Sequence, residues 1–177
     1  AHDWLSLRHD AVRRARESAA PLLCLLNGHL PTMSEVEVLD LGAGSGANLA
    51  WLAQRLPMPQ RWTLVDRDAN LLHAVRTVQT PQQVLSVCTQ QRSIDDLTVR
   101  EVRAAGLVTA SAVLDILSFT QLERLARLVG EAGAPALFSL NVTGVVHLSP
   151  ALPVDEEITA AYNQHQLRAG LAGPHAA

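Results

Sequence analysis

Residues 35–56, EVEVLDLGAGSGANLAWLAQRL, constrain the fold of this chain more than any other stretch. A short apolar run, VEVLD (36–40), ends on an acidic residue. Gly42, Gly44 and Gly46 follow at alternate positions, and apolar residues at helical spacing occupy 46–56. Strand, glycine turn and helix in this order predict the start of a parallel βα unit. Glycine lets the backbone turn sharply and lets a ligand approach with no Cβ in the way. The helix that begins there offers free N–H groups and a partial positive charge. Taken alone, the stretch predicts a nucleotide-like ligand and no more.

The remainder repeats the alternation. Strand patterns occupy 61–66, 83–88, 106–110 and 136–141, with helical patterns at 68–78 and 121–130 and a weaker one at 94–104. This predicts an α/β fold, a doubly wound and mainly parallel sheet. Its ligand contacts belong at the carboxyl ends of the strands. Two helices precede the first strand: one over 3–19 with Asp3 as its cap, and one that starts at Pro21 and stops near Asn27-Gly28. A proline-containing loop after residue 143 leads to a helix over 154–169, and the small tail LAGPHAA is expected to be mobile. Three parts result: an N-terminal helical cap (1–34), a ligand-binding core (35–150), and a C-terminal helix and tail (151–177).

Composition narrows the partner. The chain has 177 residues, 48% of them hydrophobic, which suffices for one domain with a proper core. Net charge is −3, and every positive side chain other than histidine is arginine. No basic footprint for nucleic acid is present, so a small-molecule partner is expected. No apolar run is long enough to span a membrane, and the N-terminus lacks a secretory-signal pattern. Cys24 and Cys88 lie far apart in apolar runs and read as two buried free thiols, in keeping with a cytoplasmic protein. The seven histidines are scattered without HxH or HExxH spacing, so no metal site is expected. No Gly-x-Ser-x-Gly elbow supports hydrolase chemistry.

Two acidic residues refine the ligand. Asp66 ends the second strand pattern, where a carboxylate can accept hydrogen bonds from both ribose hydroxyls. Its bland alternative is to cap the helix at 68–78, a role open to Asp68 as well. GAGSGA (42–47) fits the relaxed dinucleotide pattern G-x-G-x-x-A, so NAD competes for the loop. Asp40 opposes a pyrophosphate there. S-adenosylmethionine has no phosphate, and its sulfonium and ammonium groups favour a nearby carboxylate.

VLDLGAGSG (38–46), followed by WTLVDRD (62–68), resembles the first two motifs of the class I S-adenosylmethionine-dependent methyltransferases. RSIDDL (92–97) resembles the loop after strand three of that family, and LVTASAVLDIL (107–117) its strand-four motif. The resemblance covers about residues 36–141 and implies a Rossmann-like core with strand order 3-2-1-4-5. It also implies S-adenosylmethionine as cofactor and S-adenosylhomocysteine as product. Carried over to the matching positions, Asp40, Gly42 and Gly44 line the methionine end. Asp66 holds the ribose and Arg67 lies against the adenine. Ser93 stands where many relatives have aspartate, which leaves the adenine contact shared among Ser93, Ile94 and Asp95. Ser111 falls near the cofactor carboxylate or sulfonium.

Acceptor-side candidates are less defined. Asp115 interrupts an apolar run after strand four and is the candidate base, with helix capping as the plain alternative. Asn141 ends strand five. Tyr162 and His165 share a face of the C-terminal helix, and Trp4 and Arg8 share one near the N-terminus. Relatives complete the sheet with a sixth strand and an antiparallel seventh, whereas residues 142–177 read as loop and helix. That departure leaves strand five as an exposed edge, open to homodimerisation. The expected function is methyl transfer to a small molecule. Its alternatives are a non-catalytic domain that binds S-adenosylmethionine or S-adenosylhomocysteine, and an NAD-dependent oxidoreductase.

Overall fold

The computed structural model describes Arg14, Glu17 and residues 20–30, 34–139 and 143–176. In chain order its elements are α1 (Ala20–His29), β1 (Val36–Leu41), α2 (Ala47–Leu52), β2 (Gln60–Asp66), α3 (Ala69–Ala74) and β3 (Val84–Gln91). There follow α4 (Val99–Ala104), β4 (Leu107–Ser111), α5 (Phe119–Ala132), β5 (Ala136–Ser139) and α6 (Asp155–Gln166). The five strands form one sheet in the order β3-β2-β1-β4-β5, and every neighbouring pair is parallel. This is the doubly wound arrangement expected from the alternation.

Successive strand residues point to opposite faces, and the two faces carry separate cores. Val36, Val38, Trp62, Leu64 and Leu107 pack with α1, α2 and α3. Leu39, Leu41, Val65, Val108 and Ala110 pack with α4 and α5. On α1, the inward residues Leu23 and Leu26 are continued by Leu30, a helical stripe. Glu17 Oε1 accepts hydrogen bonds from Trp51 Nε1 (3.2 Å) and Arg55 (2.7 Å), which places it beside α2.

Several elements differ from the sequence pattern. The helix expected over 46–56 ends at Leu52 and becomes a turn, because Pro57 disfavours helical backbone at Leu56. The segment 94–104 is a 3-10 turn, Ile94–Asp96, followed by α4. Thr98 breaks it by adopting extended backbone and capping α4 through its side chain, which accepts from Glu101 N. The cysteines are exposed rather than buried. Cys24 falls outside the inward stripe of α1, and Cys88 lies on β3, an edge strand whose side chains largely face solvent.

The C-terminal tail is anchored, contrary to the mobility expected of it. Ala172 N donates to Leu117 O at 2.8 Å, Leu171 pairs with Ser118 as an isolated bridge, and Ala172 is fully buried. A small apolar residue here fits closely against the segment after β4. Among the described residues no strand follows β5; loop, α6 and tail occupy 143–176. No helix among them is long and apolar enough to cross a membrane. Ala172→Leu should cost about 1–3 kcal/mol by overpacking this contact. Urea denaturation reads the change, and an unaltered midpoint contradicts the anchoring.

Candidate functional site

Beneath the glycine turn runs a buried polar chain. Asn48, in the first turn of α2, donates through Nδ2 to Asp40 Oδ1 (2.9 Å) and to Thr109 Oγ1 (3.1 Å). Thr109 Oγ1 in turn donates to Leu137 O at 3.0 Å. Asp40, Asn48 and Thr109 are all buried. Burying these groups without partners costs several kcal/mol, so the chain fixes α2 against β1, β4 and β5 together.

Above this chain, Asp66 holds the turn from the side. Its Oδ2 accepts from Gly44 N at 2.8 Å and its Oδ1 from Asp68 N at 2.9 Å. Asp68, not Asp66, caps α3, accepting from Asn70 N and Leu71 N. The carboxylate of Asp66 is therefore left half-buried at the carboxyl end of β2 and on the wall of a cleft. Gly42 requires glycine twice over. Its φ is +61°, and a Cβ there would lie 2.5 Å from Val113 Cγ2. The turn and the segment after β4 thus meet at a contact no side chain fits.

The cleft lies between two walls. One follows β3 and contributes Arg92, Ser93 and Ile94; the other follows β4 and contributes Val113, Ile116 and Leu117. Gly42, Asp66, Arg67 and Gln121 complete it. Ser93 folds its wall by a capping box: Ser93 Oγ accepts from Asp95 N at 3.1 Å while Asp96 accepts from Ser93 N. Its hydroxyl also donates to Asp95 Oδ2 at 3.2 Å. Arg92 is paired with Glu101 at 2.8 Å. The Thr98 hydroxyl, foremost, and Arg92 hold the Glu101 carboxyl down at about 2, from an ordinary 4.5. On the other wall the chain leaves β4 through Ala112, at a φ of +54°, strained backbone beside the cleft. Ser139 Oγ donates to Ser111 Oγ at 3.0 Å and ties β5 to the end of β4.

The structure brings together Gly42, Asp66, Arg67, Ser93 and Ile94 as cleft lining, with Gly44 bound to Asp66 and Asp95 at the rim through Ser93. Asp40 is fully buried behind the turn rather than lining the cleft. Asp115 sits half-buried on the 3-10 turn Leu114–Ile116 and does not line the cleft, and its Oδ1 is enclosed without a hydrogen-bond partner. Tyr162 and His165 are exposed on α6 and do not line the cleft. His165 instead edges a separate shallow hollow with Arg168. Trp4, Arg8 and Asn141 lie outside the described residues. A wider hollow lined by Glu35, Glu37, Arg103 and Pro135 opens at the amino ends of the strands, away from where such sheets bind ligands. No group of acidic, histidine or cysteine side chains among the described residues could hold a metal ion.

Several contributors escaped the sequence pattern: Asn48 and Thr109 in the buried chain, and Arg92, Val113, Ile116, Leu117 and Gln121 in the cleft. Asn48 is an amide within an otherwise apolar helix stretch, a signal for a buried partner. Gln121 and Arg92 look like ordinary polar surface.

A family model described as a methyltransferase domain matches residues 38–134, more than half of the chain. The chain belongs to the class I methyltransferase-domain family. Among solved structures, it is similar to a mycolic acid cyclopropane synthase complexed with SAH and CTAB, with 13% identity and a TM-score of 0.57. That match covers 88% of this chain and 54% of the other. It is also similar to the plantazolicin methyltransferase BpumL in complex with SAH, with 15% identity, a TM-score of 0.53, and coverage of 73% and 48%. An S-adenosylmethionine dependent methyltransferase from Mesorhizobium loti matches at 20% identity and a TM-score of 0.47, covering 64% and 50%. The chain thus spans about half the length of these structural relatives. No curated protein matches it. The matched region runs from β1 to the end of α5 and takes in four of the five strands of the sheet.

Two outcomes follow from this geometry. Asn48→Ala should destabilise the fold by about 1–3 kcal/mol, because it strips a buried donor from Asp40 and Thr109; a neutral effect in urea denaturation contradicts the buried chain. Glu101 has a depressed carboxyl, so its stabilising contribution is complete above 4.5 and is lost as pH falls towards about 2. Glu101→Gln should flatten the loss of stability across that window, measured by denaturation at stepped pH, and an unchanged slope contradicts the assignment.

Proposed function

We propose that this chain binds S-adenosylmethionine in the cleft and transfers its methyl group to a small-molecule acceptor by in-line displacement. The observation that carries this reading is the Asp66 carboxylate. It grips the glycine turn through Gly44 N and stands on the cleft wall, where a ribose diol can donate to its remaining lone pairs. A phosphate meets repulsion at the same place. The family membership and the lining of the cleft, from the glycine turn to the wall after β3, support the same ligand.

The cleft residues fit an adenosyl group. Ile94, Val113, Ile116 and Leu117 offer apolar surface to a nucleobase, and Arg67, Ser93 and Asp95 offer polar contacts at its edge. Gly42 and Gly44 face the amino-acid end, with the Asp40 carboxyl group buried behind them and Ser111 at the end of β4. When bound, S-adenosylmethionine supplies a methyl group on an excellent leaving group. The chain then has to orient donor and acceptor and exclude water. Where the acceptor is a weak nucleophile, Asp115, between the cleft residues Val113 and Ile116, is our candidate to take its proton, which requires its enclosed Oδ1 to become accessible when the acceptor binds. The exposed free cysteines are stable as thiols in a reducing cytoplasm, where we place the protein.

Binding without transfer is the second reading, because Asp115, Tyr162 and His165 do not line the cleft. Labelled methyl transfer from S-adenosylmethionine into a metabolite extract separates the two. Transfer supports the enzyme, and saturable binding with no labelled product supports the binding domain. Asp66→Ala should weaken S-adenosylhomocysteine binding about tenfold or more by removing charged hydrogen bonds to ribose. Unaltered affinity in calorimetry removes Asp66 from the site.

A further inference from the structure

We infer that Gln121 is a positioning residue that clamps the two walls of the cleft to one another, and thereby sets its affinity for the nucleoside end of the ligand. The inference rests on the proposed binding of an adenosyl ligand. The walls grow from β3 and β4, which are not neighbours: β2 and β1 lie between them in the sheet. At ordinary strand spacing their roots are about 14 Å apart, so the sheet alone does not fix one wall against the other. A second element has to span them, and α5 does so.

Gln121 contacts both walls with one side chain. Its Oε1 accepts from Ser118 N at 2.9 Å, at the end of the segment after β4. Its Nε2 donates to Asp95 Oδ2 at 2.7 Å, on the loop after β3. The same carboxylate oxygen accepts from Ser93 Oγ, and Ser93 lines the cleft. One turn further along α5, Arg124 donates to Leu97 O at 2.7 Å and to Ile94 O at 3.4 Å. Two side chains on one helix face therefore hold the β3 wall, and one of them also holds the other wall. Ser118 is itself steadied by its bridge to Leu171 of the buried tail. Gln121 lines the cleft between these attachments, so a change in its reach moves the cleft opening directly.

Gln121 also completes the capping box of α5, since Ser118 Oγ accepts from Gln121 N while the glutamine accepts from Ser118 N. The clamp and the cap are separable by one substitution. Glutamate serves equally well in a capping box, so Gln121→Glu keeps the cap. It replaces the donor to Asp95 with a second carboxylate, and the two repel. A role confined to the cap predicts unaltered ligand affinity for this variant.

Calorimetric titration of the full chain with S-adenosylhomocysteine and, separately, with adenosine tests this, alongside the melting temperature of the unliganded protein. Gln121→Glu should lower the melting temperature by only a few degrees, the cap being kept, while weakening both ligands about tenfold, through loss of a charge-assisted hydrogen bond and gain of repulsion. A shared loss locates the effect at the nucleoside end. Affinities equal to those of the wild type overturn the clamp while leaving the proposed function intact. A loss confined to S-adenosylhomocysteine also overturns it. Absence of binding by the wild-type chain overturns the proposed function and the clamp together.

Discussion

The hydrogen-bonded group Asp40–Asn48–Thr109 is the constraint on which the site depends. Three polar side chains are buried at the centre of the sheet, where Asn48 donates to both Asp40 and Thr109 and Thr109 donates to the Leu137 carbonyl. Asn48 reaches down from α2, Asp40 lies on β1 and Thr109 on β4, so the helix can sit in one position only. That position fixes the glycine turn between β1 and α2. Asp66 then holds the same turn from the neighbouring strand through Gly44 N. The turn is thus supported from below and from the side, and Asp66 gives its support while standing on the cleft wall.

Rigidity is distributed unevenly around the cleft. On the nucleoside side, capping boxes at Ser93, Thr98 and Ser118 fold the loops, and Gln121 and Arg124 draw them together. The segment after β5 is different in character. Val145, Leu148, Leu152, Ile158 and Tyr162 are apolar or aromatic and exposed on the loop and helix that follow β5. The fold therefore shapes the cleft through polar contacts, while the segment after β5 presents largely open apolar surface.

How much of this was legible follows from the range of the interactions involved. Strands showed themselves because their burial is set by residues next to one another, as in VEVLD and RWTLVD. Asp66 could be placed because its distance from the glycine turn is fixed by one βα unit. Helix lengths were harder: the pattern of α2 runs on past Leu52, and Pro57 overrides it. Cys88 carries an apolar context yet sits on an edge strand, and edge position is a property of the whole sheet. The tail has the composition of a mobile end, and only the distant Leu117 carbonyl shows why Ala172 is buried. Gln121 was invisible for a related reason. Its partners are Ser118, three residues away, and Asp95, which only the fold brings near.

The account's central claim is that the glycine turn of this chain, with Asp66 beside it, receives a phosphate-free sulfonium nucleoside rather than a dinucleotide. Parallel calorimetric titrations of the unmodified chain with S-adenosylmethionine, S-adenosylhomocysteine and NAD test it most directly. Saturable binding of the two adenosyl compounds with no heat from NAD is the predicted result. Saturable binding of NAD with no response to either adenosyl compound would contradict it.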